Sequence, residues 1–350
     1  MIELKIHIGI HKTGSTSIQR SLDRYRYKNL RYGVGYIPMT SIFNKFTNVY
    51  DYDDDLVNES RLTIDDYIKQ HPGINKFVIS SENLCGDARN GYLNSKNIAK
   101  MLYQVTLDYK VKLVIYIRRQ DQFVESLYAH LLERGEFINF QDFLLSLPKE
   151  AFNWKSLILE YENIFGLDNI NVNSYGSFSY TENKLLKDFS KLLGIPEMTY
   201  VNANRRSSSV AVGFQRCINK FFSKEDSYIG RRIIQESNVQ LPFNNCLYFS
   251  HEQRKAFLDK YLDSNFELIN KYDVSPFDPI AEEGFTNQEL STCRHLDILL
   301  MKIIIDEKKR HDAKLINKFN INLEVYKKRL KLRLLKAPDF IKYKLGFNLH

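Results

Sequence analysis

One segment near the start of the chain constrains the fold more than any other. Glu3–Ile8 alternates apolar and polar residues and then runs into a glycine-bearing loop, Gly9 to Gly14, followed by Ser15, Thr16 and Ser17. Thr16 with Gln19 three residues later forms a capping-box pattern, which predicts a helix from Thr16 to about Arg26. A strand ending in such a loop and opening a helix is a phosphate cradle. Backbone N–H groups and the positive end of the helix converge on one anion. A chain that begins this way is committed to alternating strands and helices.

The rest of the first half keeps to that commitment. Lys76–Ser81 and Val111–Ile117 predict two further strands, the latter almost continuously apolar, as a strand covered on both faces must be. Asn94–Asp108, Asp121–Glu133 and Trp154–Phe165 have helical spacing, and Ile170–Ser174 predicts a fourth strand. Strands alternating with helices imply an α/β fold, a three-layer α/β/α arrangement around a central, mostly parallel sheet. From about Thr181 the character turns helical, with Leu185–Leu193, Val210–Phe222, Glu252–Tyr272 and Asn287–Asp306 as candidate helices. The expected organisation is one core over residues 1–215 and a helical continuation of the same domain over 216–350. Phe43–Arg61, with its acidic run Asp51–Asp55, is expected to be a surface excursion.

Composition adds exclusions. The four cysteines (Cys85, Cys217, Cys246, Cys293) are scattered, with no zinc-ligand spacing, so no structural metal is expected. No run is long and apolar enough for a membrane span, and the N-terminus lacks the features of a signal peptide, which makes a cytoplasmic protein the expectation. The net charge is +8, of which Tyr326–His350 alone carries +7. The basicity therefore belongs to the tail, and a nucleic-acid-binding domain is not expected. Asp306–Ala337 reads as a long helix with Leu323, Tyr326, Leu330 and Leu334 on one stripe. Such an element docks on an anionic membrane or a polyanion, or packs on its own domain or on a second subunit with its charges in water.

Gly9 and Gly14 have the spacing of the Walker A pattern, yet Ser15 stands where that pattern needs lysine, and the loop's lysine, Lys12, precedes Gly14. No acid at the end of the second or third strand answers to a Walker B residue. A magnesium-dependent nucleotide kinase is thus disfavoured. Instead, Lys12–Thr13–Gly14–Ser15–Thr16 resembles the 5′-phosphosulfate loop, K-[ST]-G-[ST]-[ST], of sulfotransferases that use 3′-phosphoadenosine 5′-phosphosulfate (PAPS). With His7, Gly9 and Gln19 the string is similar to the bacterial, carbohydrate-type branch of that P-loop-like family. A second motif agrees in order and spacing. The third strand ends at Arg118, with Ser126 eight residues on and Tyr128 after it. This resembles the family's I-x-[IL]-R-[DN]-P-x-x-R-x-x-S-x-Y, with Gln120 replacing proline and Phe123 replacing the second arginine.

The resemblance implies that Thr13, Gly14, Ser15, Thr16 and Ser17 hold the 5′-phosphate and that Arg118 and Ser126 hold the 3′-phosphate. It also implies that Lys12 neutralises the leaving group without a metal. Asn202–Ser209 falls where the family has a donor-closing loop, so Arg205 or Arg206 is a further candidate for the 3′-phosphate, against a solvated pair at even odds. A general base for the acceptor hydroxyl is sought at the carboxyl edge of the sheet. Glu82, directly after the second strand, is the first candidate and His11 the second, each weighed against an ordinary capping or loop-shaping role. His7, on the strand, is expected to be a satisfied core histidine. The implied acceptor is a hydroxyl of a glycan or cell-envelope precursor, with a P-loop kinase and a non-catalytic nucleotide- or polyanion-binding protein as alternatives.

Overall fold

The computed structural model describes residues 1–38, 40–175, 182–199 and 248–280, together with 212, 213, 215, 216 and 219. The helix expected over Asn287–Asp306, the basic tail, most of Val210–Phe222 and the Arg205–Arg206 pair lie outside the described residues.

Five parallel strands form the sheet in the order β2-β3-β1-β4-β5: β1 (Glu3–Gly9), β2 (Val34–Tyr36), β3 (Lys76–Ser81), β4 (Lys110–Ile117) and β5 (Ile170–Ser174). In the central pair, β1 and β4, Leu4, Ile6, Ile8, Leu113, Ile115 and Ile117 are wholly buried on one face; on the other, β4 is apolar at Val114 and Tyr116, whereas β1 carries Glu3, Lys5 and His7. The fold is α/β, as expected. The short strand β2 escapes sequence reading because its three residues, Val34–Gly35–Tyr36, are too few to show a period.

Connection direction sets the layers. The helix α1 (Ser15–Leu30) carries the chain from β1 towards one edge, whereas α4 (Ser95–Val105) carries it from β3 past β1 to β4. Right-handed crossovers running in opposite directions put their helices on opposite faces. The packing agrees. Ile18 and Leu22 of α1 share a core with Leu185, Leu186 and Phe189 of α8 (Glu182–Leu193), over Val78, Val114 and Tyr116 of the sheet. In the other layer α4 packs against α3 (Asp54–Lys69) and α7 (Trp154–Phe165).

Three expectations need correction. The Phe43–Arg61 region is not a surface excursion: it forms α2 (Thr40–Phe46) and much of α3, with Phe43, Phe46, Leu56 and Val57 buried. Asp53, counted within the acidic run, is the N-cap of α3 and accepts from the Leu56 N–H at 2.8 Å. The acids are thus a helix start. The Thr16–Gln19 capping box does not form. The N-cap of α1 is Gly14, with no side-chain cap, and Gln19 Nε2 donates to the Ser80 carbonyl (3.4 Å). Finally, Glu252–Tyr272 is two helices, α9 (His251–Asp259) and α10 (Leu262–Tyr272). The capping box in this region belongs to Ser250 and Gln253 at the start of α9. Two further helices, α5 (Gln120–Glu133) and α6 (Phe140–Ser146), precede α7.

The chain divides into two compact units, Met1–Tyr128 with Phe140–Arg206 and Leu247–Asn287, and Ala129–Asn139 with Ser207–Cys246 and Gln288–His350. In the second, Asn219 Nδ2 donates to the Leu132 and Glu136 carbonyls, both at 2.6 Å. Among the described residues no helix is long and apolar enough to cross a membrane.

Candidate active site

The site is built at the carboxyl edge of β1, where the connections leaving β1 and β4 diverge, the place at which open α/β sheets bind ligands. Ile8 pairs with Ser81 and Gly9 with Tyr116, so the loop after β1 is flanked by Glu82 on one side and Arg118 on the other. Sequence reading singled out these three elements separately; the topology makes them neighbours.

Within the loop, Lys12 (φ 64°) and Gly14 (φ 82°) are both left-handed. Left-handed residues in a tight loop can turn N–H groups towards one side, as in an anion-binding nest, and the loop is called the nest below. A lysine held left-handed costs about 1–2 kcal/mol, a strain usually found at functional loops. Gly14 has no alternative: a Cβ there would lie 2.4 Å from Leu185 Cδ2 of α8. Gly14→Ala is therefore expected to lower stability by roughly 2–3 kcal/mol, measurable by urea denaturation, and to abolish anion binding with it.

The hydroxyl groups of the loop divide. Thr13 is fully buried, and its Oγ1 donates back to the Ile10 carbonyl at 2.5 Å. Ser15 is buried with its Oγ tucked against Gly9, 2.5 Å from where a Cβ would stand, and among the described residues it has no hydrogen-bond partner. Thr13 and Ser15 thus face inward, and what they offer an anion is backbone N–H. Thr16 is half-buried and Ser17 buried at the start of α1. The Ser17 N–H already bonds to the Gly14 carbonyl at 2.9 Å.

Arg118 is joined to the loop directly: its Nη1 donates to the Lys12 carbonyl at 3.1 Å, and its Nε to Gln122 Oε1 at 3.4 Å. Its guanidinium lies 5.7 Å from the centre of the Tyr175 ring, beyond β5. From below, Trp154 Nε1 donates to the Arg118 carbonyl at 2.6 Å. Ser126 lies in the second turn of α5, half-buried. The two departures from the family pattern are absorbed by packing. Phe123 is fully buried among Phe152 and Trp154, and Gln120 exchanges amide hydrogen bonds with Asn265 of α10 (2.8 and 3.0 Å).

A third departure is Arg119, which stands where the pattern has Asp or Asn. It belongs to a buried ion cluster that sequence reading missed. Arg119 forks onto Asp121 (2.7 and 2.8 Å), Arg254 of α9 binds Asp121 and also Glu125 (2.8 Å), and Arg119 Nη1 donates to the Pro279 carbonyl at 2.9 Å. Burial would raise the Asp121 carboxyl, but the hydrogen bond and charge of Arg119, then Arg254, hold it below its usual range. Burial wins at Glu125, which is raised. The cluster ties residues 248–280 to the β4–α5 corner that carries Arg118. The available signal was two acids four apart, Asp121 and Glu125, on one face of α5.

Glu82 begins a short 3-10 turn (Glu82–Cys85) after β3 and is half-buried. His11 bonds through Nδ1 to the Tyr92 hydroxyl at 3.1 Å. His7 is a core residue, as expected, but only half satisfied: it is fully buried, its Nδ1 bonds Ser80 Oγ at 2.8 Å, its Nε2 has no hydrogen-bond partner among the described residues, and burial lowers its pKa to about 3. It stays neutral at any physiological pH. Among the described residues no group of three or more His, Cys, Asp or Glu could hold a metal ion.

No family model matches the chain, and no curated protein is similar to it. Among solved structures, the chain is similar to a sulfotransferase from Alicyclobacillus acidocaldarius, with 14% identity over 78% of this chain and 96% of that one, at a TM-score of 0.42.

Proposed function

We propose that this protein is a PAPS-dependent sulfotransferase that transfers a sulfuryl group to a hydroxyl of a glycan or cell-envelope precursor. The observation that carries the reading is the bond between the two motifs. Arg118 Nη1 rests on the carbonyl of Lys12, so the loop suited to a 5′-phosphate and the arginine suited to a 3′-phosphate form one continuous surface. ATP has no 3′-phosphate for Arg118 to bind, and Ser15 leaves the loop without the lysine that a kinase places there.

In this reading the nest and the first N–H groups of α1 hold the 5′-phosphate. Arg118, with Ser126, holds the 3′-phosphate through its fork. Lys12 sets its ammonium beside the oxygen that bridges phosphorus and sulfur. As the acceptor oxygen attacks sulfur in line, the sulfur–oxygen bond to the phosphate breaks and Lys12 compensates the charge gathering there. The acceptor's proton passes to Glu82, the proposed base at the same sheet edge. Thr13 and Ser15, whose hydroxyls face inward, contribute N–H groups only.

Titration calorimetry tests the donor. Adenosine 3′,5′-bisphosphate is expected to bind more tightly than ATP with magnesium. Arg118→Ala should weaken the bisphosphate by about 10- to 100-fold, the worth of a charge-assisted hydrogen bond, and leave adenosine 5′-monophosphate nearly unchanged. Equal loss for both ligands would remove the 3′-phosphate role from Arg118.

A further inference from the structure

Tyr92 is a fully buried tyrosine outside every motif, and its backbone is left-handed (φ 66°). A bulky residue held there costs about 1–2 kcal/mol, so the surrounding structure must over-determine it. Its ring lies in the aromatic cluster with Phe123, Phe152 and Trp154, the same Trp154 whose indole N–H holds the Arg118 carbonyl. Its hydroxyl emerges under the phosphate loop. There it receives the backbone N–H of His11 at 3.3 Å and meets His11 Nδ1 at 3.1 Å.

We infer that Tyr92 is a positioning residue of the donor loop, which fixes His11 as the neutral tautomer with its proton on Nε2. A phenol has one proton to donate and lone pairs to accept with. One lone pair takes the His11 N–H, and the phenolic proton needs an acceptor, since a buried donor left unmade costs about 1–3 kcal/mol. Among the described residues His11 Nδ1 is the acceptor within reach. Burial, and then the neighbouring Cys85, drive the phenol's pKa well above its ordinary value, which keeps that proton in place. With Nδ1 accepting, the ring's remaining proton sits on Nε2. His11 then presents a hydrogen-bond donor where a base would need a lone pair, and the proton-accepting role falls to Glu82. This last step rests on the sulfotransferase reading; the tautomer does not.

Nitrogen-15 spectra of the imidazoles in the full chain decide the matter, with His11 assigned by comparison with His11→Gln. The expected result is a pyridine-type Nδ1 and a pyrrole-type Nε2 for His11, and loss of that single tautomer in Tyr92→Phe, which keeps the ring packing and removes only the oxygen. A pyrrole-type Nδ1 in the unaltered protein, or an unchanged His11 spectrum in Tyr92→Phe, overturns the inference. Should Tyr92→Phe fail to fold, the spectrum of the unaltered protein decides alone. Adenosine 3′,5′-bisphosphate binding is measured on the same sample. Absence of binding with the expected tautomer present would sink the enzymatic reading and leave the Tyr92–His11 bond standing.

Discussion

Replacing Lys12 by alanine is expected to lower turnover by about a hundred- to a thousandfold, the range for removing one group that meets charge only as it develops, roughly 2.7–4 kcal/mol. The loss should fall on kcat far more than on bisphosphate binding. In the proposed mechanism the phosphates are held by N–H groups of the loop and by Arg118, whereas the ammonium acts most strongly on the oxygen whose charge grows as sulfur departs. Folding is a separate matter, and Lys12→Ala should leave it intact. Alanine pays the same left-handed penalty at φ 64°, and Arg118 bonds the backbone carbonyl of residue 12, not its side chain. A normal melting curve with turnover lost is the expected pair of results. A variant that loses bisphosphate binding and turnover in equal measure would show Lys12 acting as a simple phosphate contact.

The second large effect is on stability. Arg254→Ala is expected to cost about 3–5 kcal/mol, the usual penalty for breaking a buried ion pair by removing one partner. Asp121 keeps Arg119 in that variant, but among the described residues Glu125 is left with the N–H groups of Tyr248 and Phe249 alone. Its carboxyl is 1% exposed and already raised by burial, with Arg254 the main opposing influence. The sign follows from that direction. An acid whose folded pKa lies above its unfolded value favours folding at low pH and opposes it as pH rises through the folded pKa. Removing Arg254 raises that pKa further, so the deficit against the unaltered protein should be largest at neutral pH and shrink as the pH falls. Thermal melts at several pH values read this directly; a deficit independent of pH would place the loss in packing alone.

Much of this was legible in the sequence, for a physical reason. β4, covered on both faces, is an almost continuous apolar run, β1 and β5 show alternation, β3 is a short apolar stretch, and α7 reads to its ends, Trp154 and Phe165. The loop could be read because its residues are of rare types in a fixed order. The hidden features are those in which polar residues behave as core. Asp53 looks like part of a solvated acidic run, yet it caps α3. Arg119, Asp121, Glu125 and Arg254 are charge-bearing but buried, and the pairing of two acids with two arginines appears only when α9 is brought beside α5. Tyr92 carries no local signal, since its partner His11 is 81 residues away. Thr16 and Gln19 had the letters of a capping box, but the left-handed Gly14 takes the cap position and Gln19 reaches β3 instead.

In the proposed reaction Lys12, the nest and Arg118 serve one donor and one transfer. The decisive measurement incubates the protein with radiosulfur-labelled PAPS and a panel of glycans, beside Lys12→Ala and Arg118→Ala. Label is expected in a glycan hydroxyl, with release of adenosine 3′,5′-bisphosphate in equal amount and loss of both in Lys12→Ala. Phosphate transferred from ATP to the same panel, with the sulfur label left on its donor, would contradict the proposed reaction.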